Sequence, residues 1–152
     1  MGVLYSVLPL THELRPAMRD WGFPDVPFAE ARNPTPAEIR GVLSNLPGYR
    51  AFFNDPPTIG TGWQAEVEDA SDAESGAWTL VNMSEYPGED VPGEVWFEKG
   101  WPDLIVQILV RLAARTGPLV LVADCGGSPL LIRATDDPAE LFRTWQMDDP
   151  AD

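Results

Sequence analysis

The chain has 152 residues, 44% of them hydrophobic and 22% charged, which predicts one domain with a real core and excludes a disordered tail or a coiled coil. The single Cys125 excludes a disulfide framework, and the longest strongly apolar stretch, Leu104 to Ala114, is broken by Gln107 and Arg111 and is too short to span a bilayer. The net charge of −14 disfavours nucleic acid and anionic membranes as partners and favours cationic proteins.

No basic segment precedes an apolar one near the start, the first positive charge being Arg15, so a cytoplasmic location is expected. Val3 to Leu8 reads as a short strand, with Tyr5 and Val7 alternating against Leu4 and Ser6 and Pro9 ending it. Thr11 is placed to cap a helix reaching about Asp20, with Pro16 tolerable only in its first turn. From Trp21 to Pro34 the prolines predict an extended connection. Thr35, Pro36 and Glu38 then form a capping-box signature, Ile39, Val42, Leu43 and Leu46 supply one apolar face, and Pro47-Gly48 stops the helix.

After a Pro/Gly-rich joint around Pro56 to Gly62, three strand-like runs follow: Trp63 to Asp69, Ala77 to Met83 and Glu94 to Glu98. The turn-rich separators between them predict an antiparallel meander. Trp101 to Arg115 is the clearest helix. Asp103, Gln107, Arg111 and Arg115 make one narrow polar stripe, and the remainder of the circumference is apolar, so this helix, about 102–116, is expected to be central and buried. Leu119 to Ala123 and Leu130 to Ala134 predict a hairpin, and Asp137, Pro138 and Glu140 open a last helix to about Trp145. The fold class expected is α+β, a single domain over 1–152 with a mainly antiparallel sheet.

The acidity is regional. Residues 51–98 hold eleven acids and no lysine or arginine, whereas residues 1–50 are balanced at five of each. Folding such a region brings like charges together, a cost that a merely solubilising surface avoids by mixing signs. Trp96 falls on the same predicted strand face as Glu94 and Glu98, an arrangement suited to an interface in which an aromatic anchors and carboxylates steer. Glu66, Glu68, Asp69, Asp72, Glu94, Trp96 and Glu98 are therefore the candidate partner-binding residues.

Other chemistries are weaker. Cys125 and His12 are the only Cys/His pair available, but Asp124 opposes thiolate formation beside Cys125 and no activating motif surrounds it. One His and one Cys do not make a usual zinc site, and the spacing of Asp69, Asp72 and Glu74 does not match a calcium loop. Gly60-Thr61-Gly62 and Gly126-Gly127 lack phosphate-loop spacing. No catalytic residue, metal or cofactor is expected. The function expected is a small acidic domain that captures and inhibits a basic protein, in the physical manner of an immunity protein covering a toxin's cationic cleft. The competing expectation is a small hydrolase or ligand-binding domain using carboxylates and aromatics in a pocket.

Overall fold

Alternation of side chains along each strand decides how the elements stack, because it gives every strand one face for each side of the sheet. The computed structural model describes residues 3–23, 30–71, 76–98, 101–124 and 128–147. Seven strands, β1 (Leu4–Pro9), β2 (Tyr49–Phe53), β3 (Trp63–Asp69), β4 (Trp78–Met83), β5 (Trp96–Glu98), β6 (Leu119–Ala123) and β7 (Leu130–Ile132), form one sheet in the order β2-β3-β4-β5-β1-β6-β7. Every neighbouring pair is antiparallel. The helices are α1 (Arg15–Asp20), α2 (Pro36–Ser44), α3 (Pro102–Thr116) and α4 (Pro138–Met147). This is the α+β class that the sequence predicts, and the meander β3-β4-β5 and the hairpin β6-β7 are both present.

Helix α3 is the centre of the core. Leu104, Ile105, Val106, Ile108, Leu109 and Leu112 are fully buried, packed with the sheet residues Tyr5, Val7, Ala65, Val67, Val81, Phe97 and Leu121 and with Ile39 and Leu43 of α2. Pro102 sits in its first turn, where a missing N–H costs nothing. Gly117 ends it at φ 89°, and a Cβ there would meet Ala31 at 3.0 Å, so both backbone conformation and space require glycine. The capping box at α2 forms as read: the Thr35 hydroxyl accepts from the Glu38 N–H at 3.1 Å, and Glu38 accepts from the Thr35 N–H at 3.0 Å.

On the opposite side of the sheet, a smaller cluster of Leu10, Met18, Ala31 and Val120, with Leu8, Leu14, Val122 and Leu131 against it, covers only the β1-β6-β7 half. Several boundaries differ from expectation. The segment after Thr11 is a 3-10 turn, His12–Leu14, followed by α1, with Pro16 in the first turn of that helix. The run from Glu94 is a strand only from Trp96, and β7 stops at Ile132. Strand β2 lies where no element is read from the sequence. Among the described residues, no helix is long and apolar enough to cross a membrane.

Candidate protein-binding face

Strand register places one set of side chains from β2 to β5 on the side of the sheet away from α3. Phe53, Ala65, Val81 and Phe97 are in register and face the core. The intervening residues, Arg50 and Phe52, Gln64, Glu66 and Glu68, Trp78, Leu80 and Asn82, and Trp96 and Glu98, therefore share the other side. No described helix packs on this half. Phe52 is 53% exposed, Trp78 37%, and Leu4, at the β1 border, 41%.

Direct register partners form a row five strands wide: Phe52, Glu66, Leu80, Glu98 and Leu4. With about 4.8 Å between strands, the carboxylates of Glu66 and Glu98 flank Leu80 roughly 10 Å apart. Neither has a basic residue opposite it, and among the described residues neither makes an ion pair or accepts a hydrogen bond. Glu68 differs, since Arg50 on β2 is its register partner and donates to it at 2.8 Å.

Other acids of the 51–98 region are neutralised locally. Arg40 of α2 holds Asp55 through both terminal guanidinium nitrogens, at 2.7 and 2.6 Å, and Glu89 through Nε at 2.7 Å. Its guanidinium lies 5.1 Å from the Phe53 ring centre and 4.9 Å from that of Trp63, and the Tyr86 hydroxyl donates to Glu89 at 2.6 Å. The Asp55 hydrogen bonds hold Arg40 above its ordinary pKa, and Arg40 in turn holds the Asp55 carboxyl below the usual range. This arrangement stitches α2 to the loops at the ends of β2 and β4. On the open sheet face, Glu66 and Glu98 have no such partner among the described residues.

The seven candidate residues divide accordingly. Glu66, Glu68, Trp96 and Glu98 share the face, with Glu94 exposed just before β5. Trp96 is half-buried, and its indole N–H donates to the Ser84 hydroxyl at 3.2 Å, which fixes the ring orientation. Asp69 points to the other side, as the register partner of Tyr49, and accepts from the Ser71 N–H at 2.8 Å. Asp72 lies outside the described residues, as do Glu74, Cys125, Gly126 and Gly127. Sequence reasoning missed Phe52, Leu80 and Leu4 as members of the face. Tyr49–Phe53 gave no signal for the first of these, because aromatics on both faces leave no apolar/polar alternation.

His12 is exposed in the 3-10 turn, and its backbone N–H donates to Glu30 at 3.3 Å. Among the described residues, no group of three or more His, Cys, Asp or Glu side chains is arranged to hold a metal ion. Among the described residues, α2 and α3 line a cavity of about 860 Å³ on the helical side of the sheet, and α3 and α4 line one of about 360 Å³. Among the described residues, the carboxyls with displaced pKa values, Glu38, Asp55, Asp69 and Glu140, all move downward, toward the ionised form. A pocket acid poised to donate a proton needs the opposite shift. Comparison of the chain with protein-family models, with curated proteins and with solved structures gives no match.

Proposed function

We propose that the chain is a small cytoplasmic protein-binding domain that captures and inhibits a basic protein, such as a toxin, through the open half of its sheet. The observation that carries this reading is the Phe52, Glu66, Leu80, Glu98, Leu4 row, in which two unneutralised carboxylates alternate with apolar side chains. Such a row is complementary to a surface that presents lysine or arginine around aliphatic groups. The carboxylates steer approach, and Phe52, Trp78 and Trp96 supply the contact area that resists dissociation.

The test is affinity capture from the source cells with wild-type bait and with bait carrying Glu66→Lys and Glu98→Lys, each washed at low and high salt. A basic protein retained by wild type, weakened by salt and lost from the variant is the expected result. On that partner, the charge reversals are expected chiefly to slow association, and Trp96→Ala chiefly to accelerate dissociation, at a cost of about 2 kcal/mol or more. A physiological partner that binds the folded variants with unchanged rates sinks the proposal.

A further inference from the structure

The polar stripe of α3 splits between the two cavities. Asp103 and Gln107 line the smaller one, and Arg111 and Arg115 line the groove of about 860 Å³ beside α2. We propose that this groove binds a small organic anion, a carboxylate or phosphate monoester carrying an apolar body, with its charged head between Arg111 and Arg115.

The pairing of basic side chains points there. Arg32, Arg40, Arg50, Arg133 and Arg143 each meet a carboxylate. Arg111 and Arg115 make no ion pair among the described residues, although 24 acids are present in the chain. They stand four positions apart on one helix face, where like charges repel and an anion held between them removes the repulsion. The negative end of the α3 dipole accounts for basic residues in the last turn, but not for the cavity beside them.

The groove wall carries a second signal. Gly41 lies inside α2, where glycine is the least favourable residue after proline, and a Cβ there would meet nothing within 4 Å. Neither φ nor crowding requires it, and it lines the groove, where a larger side chain would take up space. Val42, Val110 and Ala114 offer apolar surface for the ligand body, in a volume within the usual small-molecule range. Arg32 also lines the groove, but both its terminal nitrogens are engaged by Glu38, at 2.7 and 2.8 Å, so it completes the wall without being the free cation. Asp90 stands at the same groove and disfavours a ligand anionic at both ends.

The experiment is an amide and arginine Nε NMR titration of the full chain with phenyl phosphate, benzoate and the neutral benzyl alcohol. Saturable shifts on α2 and the second half of α3 are expected for one or both anions, and whichever anion binds more tightly identifies the head group. Replacing Arg111 and Arg115 by Gln is expected to weaken that binding at least tenfold, and Gly41→Leu to abolish it. Both arginines are exposed, so the double variant keeps the fold and remains informative even if Gly41→Leu unfolds. Absence of saturable binding, equal binding of benzyl alcohol, or unchanged affinity in the double arginine variant overturns the proposal.

Discussion

Glu38 shows how one side chain ties local sequence to tertiary structure. It closes the capping box of α2 and receives both terminal nitrogens of Arg32, whose guanidinium also donates to the Arg115 carbonyl at the end of α3. The Arg32 hydrogen bonds come first in lowering its pKa from 4.5 to about 2, with the Thr35 cap contributing. A carboxyl depressed in the folded state adds stability that is fully present above about pH 4.5 and is lost as pH falls toward 2. Because the Arg32 side chain is 45% exposed, screening reduces the contribution to on the order of 1–2 kcal/mol. Urea unfolding of wild type and Glu38→Gln is expected to show that difference at pH 6 and little of it at pH 2.5. The capping box was legible because its partners are three residues apart. The Arg40 node was not, since Asp55 and Glu89 come from loops 15 and 49 positions away.

At the scale of elements, α3 was readable and β2 was not, for the same reason. The α3 pattern is apolar almost all round because nearly every side of the helix meets core, so burial wrote itself into composition. Strand β2 has no fully buried residue: Tyr49, Ala51 and Phe53 are half-buried while Phe52 on the opposite side is exposed. An aromatic on each face erases the apolar/polar alternation by which a strand is recognised. Strand β1 was recognised, yet its place between β5 and β6 depends on long-range pairing that no local pattern encodes. The central role of α3 predicts that Leu109→Ala, which empties a fully buried site, lowers unfolding free energy by about 2–5 kcal/mol. A loss under about 1 kcal/mol in denaturant titration would contradict the packing described.

Over the whole molecule, unpaired charge lies on both sides of the sheet. Among the described residues, Glu66 and Glu98 of the open face make no ion pair, and neither do Arg111 and Arg115 of the groove beside α2, where Asp90 also stands. The candidate face was half legible: composition located the acidic region and alternation placed Trp96 with Glu98, but which acids remain free depends on where Arg40 and Arg50 fold to. Net charge of −14 opposes compaction by self-repulsion. Added salt is therefore expected to raise the thermal midpoint of the isolated protein while weakening its complex with a basic partner. Measuring both from low to near-physiological ionic strength tests this, and a midpoint that falls with screening would contradict it.

The position of β1 has a consequence for how the protein is made. Ser6 pairs with Trp96 on one side and Val122 on the other, so β1 joins the β2-β5 meander to the β6-β7 hairpin. Ribosomes add about 5–20 residues per second, so after β1 is synthesised roughly ten seconds pass before β6 exists. Until β5 emerges both edges of β1 lack their final partners, and until β6 follows one still does, and edges in that condition invite pairing with other chains. Proline at position 9 removes one backbone donor from the strand's end. The sheet thus closes at the end of translation, and nascent chains halted before residue 119 hold β1 to β5 with the β6 edge of β1 unpaired.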